Sequence, residues 1–199
     1  MPRNITITGY TANELRDNFP AAYEYALQNY HNFLWEAGII ADDIENGIFH
    51  QVFLDAGLPS LADASLRWDI DGSQGSGVSF DNRVLTYDNI KELGFEMPDG
   101  LQGDFAIVRD TGYIGNHYTH EYTFRVEYGD RFYIDNELGE QVDKLAEQLT
   151  DALRAVCRKL YRAGLNYDIS EQYELEGTEN IYDHDGDIIG NIWDGEDLA

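Results

Sequence analysis

The chain has 199 residues and a formal net charge of -25, from 38 Asp and Glu against 13 Lys and Arg. An excess of one sign on that scale argues against direct binding of nucleic acid or of an anionic membrane, since both would be repelled. A hydrophobic share of 43% suffices for a packed core, while the single Cys157 excludes an intramolecular disulfide and a cysteine-cluster zinc site.

One domain over 1–199 is expected, with an acidic helical part over 17–66, a mainly β part over 66–135, and a long helix followed by an acidic tail with a hairpin over 137–199. The start, Met1-Pro-Arg-Asn4, lacks an apolar run, and no stretch approaches membrane-spanning length, which predicts a cytoplasmic protein. Ile5 and Ile7 alternate with polar neighbours as in a short strand. Thr11 and Glu14 form a capping box, so a helix starts after Thr11 and runs to about Asp17. Pro20 is tolerated only near a helix start, which predicts a second helix from about Phe19. Its Tyr23, Leu27, Tyr30 and Leu34 share a face, and Gly38 ends it. A third helix begins at Asp42 or Asp43, with Ile44, Ile48, Val52 and Phe53 on one face and Gly57 as its stop.

The middle of the chain reads as β. Leu66, Trp68 and Ile70 alternate with Arg67 and Asp69, and Val78–Phe80, Val84–Tyr87 and Phe105–Arg109 are further strands. The longest alternation runs from Tyr118 to Tyr128 and places His120, Tyr122, Phe124 and Val126 on one covered face of an antiparallel sheet. Glu137–Ala163 is the longest helix. Leu138, Val142, Leu145, Leu149, Val156 and Leu160 form its buried stripe, with Gly164 as its cap. Arg154, Arg158, Lys159 and Arg162 crowd its last turns, where they complement the helix dipole. A short helix near Ser170–Leu175 precedes a hairpin over Ile181–Trp193 that turns at Asp185-Gly186. The fold class is therefore α+β: an antiparallel sheet covered by amphipathic helices, with a C-terminal β-hairpin.

Several clusters bear on chemistry. Ser73, Gln74, Gly75, Ser76, Gly77 and Ser79 combine hydroxyl and amide groups with a glycine-rich backbone. No lysine accompanies them and the Walker pattern is absent, so a tight turn between two strands is the simpler reading than a phosphate nest. His117 and His120 fall on opposite faces of their strand and so do not share a metal. A serine of the turn with His120 would make a nucleophile–base pair, but no residue is placed to orient the base. Asp69 to Gly72 and Asp183 to Asp187 resemble calcium loops without the full EF-hand pattern. No catalytic residue, metal ligand or cofactor is assigned. Cys157 reads as core, and Trp193 as core or core edge, with an exposed anchor for a partner in the acidic tail as the alternative.

The segment Ser73-Gln-Gly-Ser-Gly-Val-Ser-Phe80 resembles the Ser-Gln-Gly-Asp-Gly-Ala-Ser-Phe signature of a widespread family of small phage and prophage proteins. Thr11 to Leu15 with Ala21 to Ala26, then Tyr118 to His120, and the Asp-Gly hairpin also match that family's layout, with Ser76 and Val78 departing from the signature. The resemblance implies a phage or mobile-element origin and no mechanism. It makes Ser73, Gln74, Gly75, Ser76, Gly77, Ser79, Phe80, Tyr118 and His120 a candidate site.

The distribution of charge carries the functional expectation. From Asp17 to Leu66 there are eight carboxylates, and from Asp168 to Ala199 eleven, with no Lys or Arg in either block. A salt-adapted surface is also acid-rich and poor in lysine, but abundant Ile, Asn and Tyr, with acids in blocks, argue against it. Two partner-binding patches are expected: Asp42, Asp43, Glu45 and Asp55, and then Asp168, Glu171, Glu174, Glu176 and Glu179, extended by Asp183, Asp185 and Asp187. The expected partner is a basic host protein that binds nucleic acid, such as a restriction enzyme or CRISPR effector, and the expected role is a host-takeover or anti-defence factor acting as a nucleic-acid mimic. Two other readings differ in class. One is an enzyme or small-ligand binder built on the glycine-rich turn with His120; the other is an antitoxin-like binder of a basic toxin.

Overall fold

The computed structural model describes residues 8–73, 75–101, 103–109, 119–129 and 136–191. The chain divides into two compact units, one formed by Met1–Asp42 with Asp168–Ala199 and one by Asp43–Tyr167. The architecture is α+β with small antiparallel sheets and a C-terminal hairpin.

The first unit opens with α1 (Ala12–Asn18), whose capping box is formed as expected: Thr11 Oγ1 accepts from the Glu14 amide, and Glu14 accepts from the Thr11 amide at 2.9 Å. Pro20 sits in the first turn of α2 (Pro20–Glu36), where its missing N–H costs nothing. A four-residue helix, α3 (Ile39–Asp42), follows. After the second unit the chain returns as α7 (Ile169–Gln172), a 3-10 turn (Leu175–Gly177), and the hairpin of β6 (Asn180–Tyr182) and β7 (Ile188–Asn191). Ala12, Leu15, Ala22, Ala26, Leu175 and Tyr182 form its core, flanked by Tyr10, Phe19, Tyr23, Leu27 and Tyr30. Small alanines on α2 let the hairpin approach closely: Gly186 adopts a φ of 93° and lies against the Ala22 carbonyl. Ile5 and Trp193 lie outside the described residues.

The second unit begins with a π-helical turn, Asp43–Phe49, that leads into α4 (His50–Asp55). This corrects the regular helix expected there. The i to i+5 spacing of a π turn brings Ile44 and Phe49 onto one buried face with Phe53, and leaves Ile48 and Val52 only half-buried. Its strands belong to two sheets. Strands β1 (Leu66–Asp69) and β2 (Gly77–Phe80) form an antiparallel hairpin, with Leu66 opposite Phe80 and Asp69 opposite Gly77. Strands β3 (Arg83–Leu85), β4 (Phe105–Arg109) and β5 (Phe124–Tyr128) form a three-stranded sheet in sequential order. The strand expected over Val84–Tyr87 stops at Leu85, because Thr86 and Asn89 form a capping box that starts α5 (Tyr87–Glu92).

The long helix α6 (Asn136–Leu165) packs against β2 and β5 with Val142, Leu145, Leu149, Leu153, Val156 and Leu160 buried, while Leu138, expected in that stripe, is only half-buried. A run of aromatic contacts fills the interior beside it: Phe53 with Phe80 at 6.1 Å, and Phe80 edge-on to Phe124 at 5.7 Å. Cys157 is buried in this core as expected, and burial pushes its thiol well above the usual range. Gly164 does not cap α6. It lies one residue inside it and is buried, with the ring of Phe49 and the side chain of Ile70 against the space a Cβ would take. Thr150 Oγ1 donates to Ala146 O and accepts the Val126 N–H at 2.9 Å, so a helix side chain satisfies a strand amide that points away from β4.

Candidate functional site

The expected strand Tyr118–Tyr128 is shorter than its alternation. Tyr118 and His117 lie outside the described residues, Glu121–Thr123 is a 3-10 turn, and only Phe124–Tyr128 is paired. His120 therefore does not sit on a covered sheet face. It caps the 3-10 turn, its Nδ1 accepting from the Tyr122 amide at 3.2 Å and its carbonyl accepting from the Thr123 hydroxyl at 2.9 Å. A short polar cap at this point competes with the ladder and ends it.

The glycine-rich segment is the loop of the β1–β2 hairpin, as the turn reading expects; Gln74 lies outside the described residues. Hydrogen bonds organise the loop from within. Asp69 Oδ1 accepts the Asp71 amide at 3.0 Å, and Asp71 accepts the Ser73 amide at 2.7 Å and the Ser76 hydroxyl. Ser73 and Ser76 hydroxyls lie 3.0 Å apart. The two hydroxyls and the Ser73 amide hold the exposed Asp71 carboxyl down to about 2, from an ordinary 3.8. Because the folded value is the depressed one, the ordering from Asp71 is complete above about 3.8 and is lost as pH falls through about 2. Chemical shifts of the Ser73 and Ser76 amides should follow that titration, and should lose it in Asp71→Asn.

The second half of the signature faces inward. Gly75 O accepts from the Thr119 amide at 3.1 Å, and a Cβ on Gly77 would lie 2.6 Å from His120 Cα. Val78, Ser79 and Phe80 are fully buried. The segment thus docks the hairpin onto Thr119–Thr123, and packing alone accounts for Gly77 and Phe80. Ser79 Oγ is buried without a hydrogen-bond partner. Two neighbouring substitutions should then differ in sign. Gly77→Ala should destabilise by about 2–3 kcal/mol through the clash with His120. Ser79→Ala should be neutral or stabilise by about 1 kcal/mol, since it removes an unpaired buried hydroxyl. Urea unfolding midpoints measure both.

The acidic residues of the first patch are divided. Asp42 closes α3 in the first unit, while Asp43, Glu45 and Asp55 belong to the second. All four are exposed. Glu45 accepts from Trp68 Nε1 at 2.6 Å, Asp43 from the Tyr167 hydroxyl at 3.4 Å, and Asp55 from Gln51 at 2.7 Å.

The residues of the second patch all fall in the first unit, with unequal roles. Glu176 is turned inward, paired with Arg16 and accepting the Tyr23 hydroxyl at 2.9 Å; burial, and then this contact, raises Tyr23 to about 12. Asp168 caps α7: the hydroxyl and amide of Ser170 lower its carboxyl. Asp183 closes the hairpin, accepting the Asp185 amide at 2.9 Å and the Asp187 amide at 3.1 Å, and its carboxyl is lowered as well. Glu171, Glu174, Glu179, Asp185 and Asp187 are exposed. Among the described residues, Asp183, His184 and Asp185 bring ligand-type atoms within 4.8 Å of one another, though Asp183 Oδ1 already accepts two amides.

One feature of this unit was missed in the sequence. A pocket of about 530 Å³ opens between α2 and the hairpin, with Ala26 and Tyr182 buried and Phe33 and Ile188 exposed around it. The signal was the run Ala26, Tyr30 and Phe33 at helical spacing, which faces Ile188 of β7 across the pocket.

No family model, no curated protein and no solved structure matches the chain. No helix among the described residues is long and apolar enough to cross a membrane.

Proposed function

We propose that the protein is a phage- or mobile-element-encoded anti-defence factor whose acidic surface occupies the nucleic-acid-binding groove of a basic host protein in the host cytoplasm. One observation carries this reading. The unit formed by Met1–Asp42 and Asp168–Ala199 has sixteen carboxylates against only Arg3 and Arg16, and Arg16 is paired with Glu176. Five carboxylates of its returning segment stand exposed: Glu171, Glu174, Glu179, Asp185 and Asp187.

Rows of carboxylates present to Lys and Arg what phosphates present: fixed negative charge and acceptor oxygens, with attraction that steers encounter and weakens with salt. The Ser73–Phe80 resemblance supports the phage origin, and a restriction enzyme or CRISPR effector is the partner class that such an origin favours. The reading is tested by capturing partners from host lysate on tagged protein and eluting with rising salt. Release of a nucleic-acid enzyme at moderate salt, and its displacement by added duplex DNA, is expected. Recovery of the same proteins on a charge-reversed variant would refute the mimic.

A further inference from the structure

Charge alone does not orient a partner, and the acidic unit carries a second, apolar feature that does. Its pocket of about 530 Å³ has a buried floor of Ala26 and Tyr182. Tyr30 lies in its wall, and its margin bears Phe33, 59% exposed, and Ile188, 63% exposed. Water-exposed apolar side chains of that size around a concave floor are costly unless something covers them. The surroundings choose what does. Asp187 lines the pocket, and Asp183 and Asp185 belong to the same turn. Among the described residues of the unit the one Lys or Arg is Arg16, which is paired with Glu176. A second copy of this chain would bring the same carboxylates against these. A segment that carries both an apolar side chain and lysines or arginines fits the floor and the field together.

We infer that the pocket between α2 and the hairpin seats an apolar side chain, of leucine or phenylalanine size, carried on a lysine- and arginine-rich segment of the partner protein. This rests on the reading of the partner as basic, and adds the position at which that partner is anchored. Salt-sensitive attraction brings the basic segment to the unit; burial of the anchor against Tyr30, Phe33 and Ile188 fixes its register.

The experiment uses the full chain and two synthetic peptides, each of six lysines around a central pair, Leu-Leu in one and Ser-Ser in the other. Affinity is read by fluorescence polarisation, and the Ile188 methyl resonance reports occupancy of the pocket. The leucine peptide should bind at least about tenfold more tightly, the effect of burying a leucine side chain. It should shift the Ile188 methyl, and Phe33→Ser or Ile188→Thr should each remove its advantage. Both substitutions fall on exposed side chains, so folding should survive them. Equal binding of the two peptides would overturn the anchor and leave the charge reading standing. An advantage that persists in both variants would also overturn it. Leucine-dependent binding that survives high salt and charge reversal would uphold the pocket and refute the charge reading. Failure of both peptides to bind would overturn both.

Discussion

Replacing Glu171, Glu174, Asp185 and Asp187 together by lysine should weaken partner binding at least about a hundredfold while leaving the fold intact. The choice follows from what each carboxylate does. Asp168 caps α7, Asp183 closes the hairpin, and Glu176 pairs with Arg16 and Tyr23, so changing those three would confound binding with folding. The four chosen side chains are exposed, and the 3-10 turn that begins after Glu174 takes no cap from it. Reversal also relieves like-charge repulsion in a unit of sixteen carboxylates, so the thermal midpoint should hold or rise. Titration of the captured partner against both proteins, beside thermal unfolding, separates the two effects. Unchanged affinity in the fourfold variant would remove the basis of the mimic.

A large single-residue effect on the acidic unit should come from Gly186→Ala. Gly186 holds a φ of 93°, which costs an alanine about 1–2 kcal/mol. A Cβ there would also press on the Ala22 carbonyl and come within 3.3 Å of Tyr25 Cδ1, and overpacking of that kind costs about 1–3 kcal/mol. Together the substitution should destabilise the docked hairpin by about 3 kcal/mol. Since Tyr182 is a core residue of the unit and Tyr10 bridges to it, the loss should spread beyond the turn. Hydrogen exchange should show faster exchange at the Tyr10 and Tyr182 amides, which bond each other's carbonyls at 2.8 and 2.9 Å. Protection at those amides equal to the parent's would show that the hairpin is not held by this contact.

What could be read from the sequence was local chemistry. The Thr11–Glu14 box, the Pro20 helix start and the Asp185-Gly186 turn each depend on residues within one or two turns of chain, and each is found where expected, as is the buried stripe of α6 from Val142 onward. What escaped depended on contacts made at a distance. The π turn at Asp43–Phe49 and the interior place of Gly164 are two sides of one arrangement, since the Phe49 ring lies against Gly164. Alternation continued through His120 although a side-chain cap there ends the ladder, because period two cannot tell a strand from an extended approach to a 3-10 turn. Nor did charge counting separate carboxylates that hold the fold from those that face outward. Glu176 and Glu174 are two residues apart and have opposite roles. A half-buried knot was also invisible: Asn89 donates to Ser60 O and Oγ, and Ser60 in turn donates to Glu92.

Whether carboxylates here take the place of phosphates is decided by competition on the captured complex. Labelled duplex DNA is titrated against the protein on its partner over a range of salt. Mutually exclusive binding is expected, with a logarithm of affinity that falls steeply and linearly with the logarithm of salt, as it does for DNA on the same partner. A ternary complex that forms without loss of either ligand, with affinity indifferent to salt, would contradict it.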